Sequence, residues 1–148
     1  MRTIDCRDRA QLTSDRTIGQ PHDDPDTMTN ASAFLDALLR RDFDQVKRTL
    51  APTVRFRALV PSGIREAQGA DEATNWLRTW FGNSEDFHVL DSGVEEFAGR
   101  SHLWYRFALT REGRPTVVGQ DGFCDTTTSG ITDLALVCSG FRPANQPT

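Results

Sequence analysis

The sequence lacks any excess of basic residues and any long hydrophobic run, and each absence excludes a class of protein. The 148 residues carry a formal net charge of -4 with a pI near 5.3, and the arginines are scattered. A nucleic-acid-binding domain normally presents a basic face or stripe, so we expect no nucleic-acid partner. No apolar run approaches the ~20 residues that cross a bilayer, and the N-terminus has no apolar segment of the signal-peptide kind. We therefore expect a cytoplasmic protein with no membrane partner.

Cysteine and histidine are scarce as well, with three residues of each in the chain. Neither type occurs at the spacing of a metal-ligand motif, so we expect no metal site. Cys124 and Cys138 lie in apolar, strand-like patterns, which indicates buried thiols in a reducing compartment. The cysteines are therefore expected to pack in the core rather than to form disulfides.

The composition is that of one soluble globular domain. Apolar residues make up 37% of the chain and charged residues 26%, and the length is enough for a single hydrophobic core. Residues 1–28 are polar, include "PHDDPD" and show no helical or strand period, which predicts a disordered tail. The more ordinary sequence that begins at Met28 raises the hypothesis of a misassigned start. We expect a domain over residues 29–142 and a short C-terminal tail over 143–148.

The order of helical and strand patterns predicts an α+β fold. Two helical segments come first, and Asn30 or Ser32 can cap the first of them. The alternating stretch "TVRFRALV" and the short "IREAQ" indicate two strands, and "GADEATNWLRTWFGN" is a third helix that ends at its Gly-Asn pair. Four longer strands follow, separated by the turn sequences "AGR", "EG" and "TTSG". The resulting order, α-α-β-β-α-β-β-β-β, is typical of helices packed on one face of an antiparallel sheet.

Several stretches resemble the SnoaL-like branch of the nuclear transport factor 2-like superfamily. They are "FLDALLRRDFDQVKRTLAPTVRF", the helix "GADEATNWLRTWF", the "EGRP" hairpin and "SGITDLALVCSGF" at the final strand, and the resemblance covers about residues 30–142. It implies a curved antiparallel sheet wrapped by three helices into a cone with an internal pocket. Members of the superfamily include ketosteroid isomerases, polyketide cyclases, epoxide hydrolases and many non-enzymes. The resemblance therefore identifies the fold and leaves the activity open.

Asp121, in "GQDGFCD", is the residue that the resemblance singles out. It stands ten residues before Ile131, where ketosteroid isomerases carry a pocket aspartate that hydrogen-bonds the developing enolate. The isomerase's proton-shuttling aspartate would fall near Phe56 and its oxyanion tyrosine near Phe34, and neither phenylalanine can transfer a proton or donate a hydrogen bond. Ketosteroid isomerisation is thus disfavoured, whereas polyketide cyclases work with a single pocket aspartate.

The face of the sheet on which Asp121 lies depends on the hairpin turn "REG". Gly113 in its third position suits a three-residue turn closed by a left-handed glycine. That register places Tyr105 and Asp121 together on the helix-covered face, with His102 and Arg106 on the outer face. A two-residue loop would change the assignment, because a slip of one residue moves every side chain of a strand to the other face. The family resemblance favours the three-residue turn.

This arrangement predicts a site with one carboxylate. Asp121 would act as the acid/base, since apolar surroundings favour its neutral form, and Tyr105 would orient the substrate. Nine further residues are expected to contact a hydrophobic, carbonyl-bearing small molecule such as a polyketide: Phe34, Phe56, Trp76, Trp80, Leu103, Phe107, Phe123, Leu136 and Cys138. Proton transfer next to a carbonyl needs side chains alone, so we expect no cofactor.

Three functions remain open from the sequence. The first is an enzyme of the isomerase or cyclase type that uses Asp121. The second is a module that binds or senses a small molecule without turnover, which the missing second acid and the missing oxyanion tyrosine favour. The third is an interaction domain whose cone is filled by its own side chains. A homodimer is also expected, because dimers are common in the superfamily and the mixed outer face of the sheet would suit one.

Overall fold

The computed structural model describes residues 29–144, which form three helices and seven strands in the order predicted from the sequence. In chain order the elements are α1 (Asn30–Leu39), α2 (Phe43–Thr49), β1 (Leu50–Val60), β2 (Gly63–Gln68), α3 (Ala70–Phe81), β3 (Glu85–Phe97), β4 (Arg100–Arg111), β5 (Arg114–Thr127), β6 (Gly130–Cys138) and β7 (Arg142–Pro143). The two-residue β7 is the only addition to the predicted order. The tail predicted over residues 1–28 lies outside the described residues.

All strands belong to one sheet with the order β2-β1-β6-β5-β4-β3, and β7 pairs with β5 beyond the end of β6. Neighbouring strands are antiparallel except β1 and β6, which run parallel. The sheet therefore differs in one pair from the fully antiparallel arrangement that was expected. It consists of the meander β3–β6 and the hairpin β1–β2, and the chain passes between them through α3. Pro143, expected to begin the C-terminal tail, pairs with Thr116 and so still belongs to the sheet.

The helices begin and end where local hydrogen bonding allows. Thr29 caps α1, because its side chain accepts a hydrogen bond from the Ser32 backbone N–H. Neither Asn30 nor Ser32, the two residues proposed from the sequence, is the cap. Asp42 caps α2 in the same way by accepting from the Gln45 backbone N–H. As predicted, α3 ends at its C-terminal glycine.

Aromatic side chains fill the centre of the cone between the sheet and the helices. Phe34, Phe56, Phe81, Tyr105 and Phe107 have no exposed surface. The Phe81 ring packs edge-on against Phe107 at a centroid distance of 5.1 Å, and Tyr105 stacks on Phe107 at 5.1 Å. The internal pocket implied by the resemblance is not shown, since these five central side chains have no exposed surface.

The turn between β4 and β5 sets which residues face this core. Arg111 pairs with Arg114, so the loop contains only Glu112 and Gly113, and both have positive φ (54° and 77°). This is a type I′ turn, whose twist matches that of the strands it joins. The predicted three-residue turn is wrong, and with it the register of β5 against β4.

The described residues contain neither a long apolar helix nor a metal-type cluster. No helix within 29–144 is long and apolar enough to cross a membrane. In the same part of the chain, no three His, Cys, Asp or Glu side chains are grouped so that they could hold a metal ion.

Candidate functional site

Asp121 points away from the core, contrary to the sequence prediction. Its cross-strand partner on β4 is Trp104, and 48% of its side chain is exposed. Tyr105 faces the opposite way and is fully buried. The sheet therefore separates the two residues predicted to act together, and they cannot contact the same small ligand from these positions. The apolar surroundings that the acid/base prediction required at Asp121 are also absent.

Gln120 occupies the inward position that was assigned to Asp121. It pairs with Tyr105 across the strands, only 1% of its surface is exposed, and its Oε1 accepts a hydrogen bond from the Tyr105 hydroxyl. The Gln120 Nε2 has no hydrogen-bond partner within the described residues. Burial raises the pKa of the Tyr105 phenol well above its ordinary value, so the phenol stays protonated at neutral pH. Sequence reasoning missed Gln120 because its assignment depended on the turn length.

The residues predicted to line the ligand pocket divide into three groups. Six are buried in the core: Phe34, Phe56, Leu103, Phe107, Leu136 and Cys138. Trp76 and Trp80 are partly buried on α3, and the Trp80 ring lies 6.2 Å from that of Phe56. Phe123 lies on the outer face with 37% exposure, so its predicted inward orientation is wrong for the same reason as that of Asp121.

The glycines around Asp121 make room for neighbouring side chains on both faces. On the outer face, a Cβ at Gly119 would lie 2.7 Å from the Arg106 Cδ, so only glycine lets the Arg106 side chain lie flat on the sheet. On the inner face, a Cβ at Gly122 would lie 2.5 Å from the Leu136 Cδ2. Gly119 thus holds open the position of a charged residue beside Asp121.

Four charged or polar side chains form a chain of contacts on the outer face, which we call the outer charge cluster: Glu95, His102, Arg106 and Asp121. The Arg106 Nη2 lies 3.3 Å from the Asp121 Oδ2, and the His102 Nε2 lies 3.5 Å from the Asp121 Oδ1. The His102 Nδ1 is 2.9 Å from the Glu95 Oε2. Arg106 also donates a hydrogen bond to the Tyr105 carbonyl oxygen at 3.2 Å.

A groove of about 910 Å³ opens beside this cluster on the face that no helix covers. Its lining is mostly apolar, and two members of the outer charge cluster, Arg106 and Asp121, contribute to it. The remaining lining residues are Leu90, Asp91, Phe107, Val117, Val118, Gly119, Val137, Cys138, Ser139, Arg142, Pro143 and Ala144. Three other pockets on the described residues are smaller, at about 430, 390 and 180 Å³. None of the four is lined by Tyr105 or Gln120.

No family model matches the chain, and no curated protein sequence matches it. Solved structures do match. A protein from Catenulispora acidiphila with a ketosteroid isomerase-like fold, solved with trimethylamine, superposes with a TM-score of 0.61 at 14% identity, over 76% of this chain and 88% of its own. The chain therefore has a ketosteroid isomerase-like, nuclear transport factor 2-like fold.

Two other proteins with this fold carry names that suggest activities. A candidate polyketide cyclase from Xanthomonas campestris pv. campestris has a TM-score of 0.58 and 20% identity, over 73% of this chain and 86% of its own. An LEH-like epoxide hydrolase from Mycobacterium tuberculosis has a TM-score of 0.56 and 18% identity, over 74% of this chain and 80% of its own. At these identities the nuclear transport factor 2-like fold is shared, and the comparison extends no further.

Proposed function

We propose that this chain binds a hydrophobic small molecule in the groove on the outer face of its sheet. The observation that carries the proposal is the position of Asp121. Its carboxylate borders a groove of about 910 Å³ and accepts no hydrogen bond from residues 29–144. The Arg106 guanidinium, at 3.3 Å, and the His102 imidazole, at 3.5 Å, lie beside the carboxylate without meeting the geometry of a hydrogen bond. Both carboxylate oxygens thus keep lone pairs that can accept a hydrogen bond from a ligand.

The groove supplies both parts of a small-molecule site. Ligand pockets are typically apolar surfaces of 300–1,000 Å³ that carry a few polar groups for orientation. Leu90, Val117 and Val137 provide apolar wall, and Asp121 beside Arg106 provides one acceptor and several donors. A suitable ligand has an apolar body, a hydroxyl or amine that donates to Asp121, and a carbonyl that accepts from Arg106. The interior of the cone offers no such space, since its aromatic residues are fully buried.

Fluorescence titration with 1-aminoanthracene tests the proposal, because this probe combines an apolar body with one donor group. We expect saturable binding to the wild type. Asp121→Ala removes the acceptor and should weaken binding about tenfold, the effect of losing one hydrogen bond to a charged group. Asp125→Ala is the matched control. Asp125 lies four residues along β5 on the same face, pairs with Arg100 at 2.7 Å and does not line the groove.

Equal affinities of the wild type and Asp121→Ala would overturn the proposal, as would the absence of any saturable binding. A loss of binding in Asp125→Ala as large as that in Asp121→Ala would point to a general effect of charge on the sheet surface, and would also count against the groove.

Proton transfer at the same groove is a second candidate function, and the contact between Asp121 and Arg106 favours it. A base that removes a proton next to a carbonyl generates an oxyanion, and a guanidinium within reach stabilises that charge. Arg106 would then supply the oxyanion stabilisation for which the sequence offered no residue. Isomerisation or cyclisation of a carbonyl-bearing, polyketide-like substrate is the reaction that fits these groups, without a cofactor.

The substrate 5-nitrobenzisoxazole tests for such a base without knowledge of the natural substrate. Removal of its C3 proton by a carboxylate drives the electron pair into a nitrile and breaks the N–O bond, which releases a coloured phenolate. We expect wild-type turnover above that of free acetate, and loss of that excess in Asp121→Asn. If both proteins react at the rate of acetate, the chain is a binding protein and the enzymatic alternative is excluded.

A further inference from the structure

His102 is held more firmly than the other residues of the outer charge cluster. Its imidazole packs against the rings of Trp104 and Phe123, at centroid distances of 5.2 and 4.9 Å and interplanar angles of 31° and 28°. The neighbouring strands place one carboxylate at each ring nitrogen, Glu95 from β3 and Asp121 from β5. Stacking fixes the plane of the ring, and the two carboxylates fix its rotation within that plane.

The two carboxylates differ in what else they contact. Glu95 is 59% exposed and lies outside the groove, whereas Asp121 lines it. Further charged groups on this face are Arg100 and Arg106 on its own strand, Asp91, which is the cross-strand partner of Arg106 on β3, and Arg142, which lines the groove with Asp91. Arg100 is paired with Asp125, and Arg106 with Asp121. Histidine is the one residue type in this cluster that can change charge between pH 5 and 8.

The charge on His102 changes the electrostatic character of the groove. When the imidazole is neutral, the outer charge cluster together with the groove residues Asp91 and Arg142 has three negative charges and two positive charges, so a cation is attracted. A proton on His102 brings the sum to zero and places a second cation within 3.5 Å of Asp121. Asp121 then has both of its oxygens opposed by cations, and its attraction for a positively charged ligand falls.

We propose that His102 is a positioning residue for Asp121 and that its protonation switches the groove from favouring cationic ligands to favouring neutral ones. The inference rests on the proposed binding of a small molecule in the groove, and it adds that this binding is regulated by pH. Protonation would alter neither the apolar walls nor the remaining lone pairs of the Asp121 carboxylate, so a neutral ligand that donates one hydrogen bond should bind similarly in both states. The groove would release an amine-bearing ligand on mild acidification and retain its uncharged analogue.

Two fluorescent probes test the switch: 9-aminoacridine, which is a cation throughout the range used, and 1-aminoanthracene, which is neutral. Between about pH 8 and about pH 5.5, we expect wild-type affinity for 9-aminoacridine to fall about two- to fivefold, the range of one partly exposed charge contact. Affinity for 1-aminoanthracene should stay constant. His102→Phe keeps an aromatic ring in the stack without a charge, and should abolish the pH dependence for the cation.

Two further variants complete the test. His88→Phe is the control, because His88 lies on β3 opposite Ala108 and outside the cluster; it should keep the wild-type pH dependence. His102→Gln serves if the phenylalanine variant fails to fold. An unchanged pH dependence in whichever His102 variant folds would overturn the inference while leaving groove binding intact. Failure of both probes to bind at any pH would instead overturn the proposed function itself.

Discussion

Gln120 and Asp121 are adjacent in the chain and lie on opposite faces of the sheet, so one enters the core beside Tyr105 and the other lines the outer groove. This alternation places Gln120, the hydrogen-bond acceptor of the Tyr105 hydroxyl, in the core and the Asp121 carboxylate outside it. A site that the sequence assembled from Tyr105 and Asp121 is thus two separate features, an internal hydrogen bond and an external groove.

The internal pair should behave as a structural unit. Tyr105→Phe leaves the Gln120 amide without any partner in the core, which we expect to reduce the free energy of unfolding by about 1–3 kcal/mol. Gln120→Leu removes the unpartnered Nε2 but leaves the Tyr105 hydroxyl unpaired. The double variant removes both polar groups and should recover stability to within about 1 kcal/mol of the wild type. Urea unfolding of the wild type, the two single variants and the double variant gives the interaction free energy between Tyr105 and Gln120. If the losses of the single variants simply add in the double variant, the two residues do not form a unit.

Arg41 links the end of α1 to the end of α3. Its Nη1 donates to the Phe81 and Ser84 carbonyl oxygens at 3.1 and 2.9 Å, and its guanidinium lies 4.4 Å from the centre of the Phe87 ring. The residue itself has a left-handed φ of 56°, a conformation that costs free energy unless contacts offset it. We expect Arg41→Ala to lower the free energy of unfolding by about 2–3 kcal/mol, since part-buried hydrogen bonds and a cation–π contact are lost.

Thermal unfolding measures the Arg41 effect, and Arg40→Ala is its control. Arg40 is the neighbouring arginine and is half exposed, with surface ion pairs to Asp36 and Asp42. Such pairs contribute about 0–1 kcal/mol. Losses of equal size in the two variants would show that Arg41 has no special role.

The turn that fixes the β4–β5 register offers a stabilising substitution. Glu112 adopts a left-handed φ of 54° in a type I′ turn, where asparagine and glycine are much preferred. Glu112→Asn should therefore raise the free energy of unfolding by roughly 0.5–1 kcal/mol. Ala98 holds the equivalent position before Gly99 in the β3–β4 turn, with a φ of 55°, so Ala98→Asn should give a similar gain. Denaturant unfolding of both variants checks the turn type, and a loss of stability in either would argue against it.

Cys124 should make stability depend on pH in the alkaline range. Burial raises the pKa of its thiol from 9.0 to about 11. The folded state therefore keeps the proton at pH values where the unfolded chain loses it, so the contribution is complete below pH 9 and is lost as pH rises towards 11. Between pH 8 and 10 this amounts to about 1.4 kcal/mol. Measured by urea unfolding across that range, the free energy of unfolding should decline less in Cys124→Ala than in the wild type. Parallel pH dependences of the wild type and the variant would contradict the prediction.

The sequence was sufficient for the element order because hydrophobic period and turn residues report on local structure. The α3 boundary at Gly82 and the inward set of β4 (Leu103, Tyr105, Phe107 and Leu109) were both predicted and confirmed. The face of the sheet on which each β5 side chain lies was predicted wrongly, because it depends on whether the β4–β5 loop has two residues or three. Glu112-Gly113 lacks the asparagine or aspartate that marks a type I′ turn, and that one ambiguity displaced Gln120, Asp121 and Phe123 together. The groove lay beyond sequence reasoning because it joins residues from five strands.

A homodimer remains a prediction, and the outer face indicates where its contact would lie. Ile64, Leu59 and Val137 are cross-strand neighbours on β2, β1 and β6, and they are 63%, 50% and 58% exposed. Such a contiguous apolar row on a sheet face is typical of an interaction surface.

Leu59→Glu places a charge in the middle of this row and should convert a dimer to a monomer, as measured by sedimentation velocity. Leu90→Glu makes the same change at a leucine that is 58% exposed but lies outside the row, and should leave the dimer intact. A wild type that sediments as a monomer at high concentration would exclude the interface altogether.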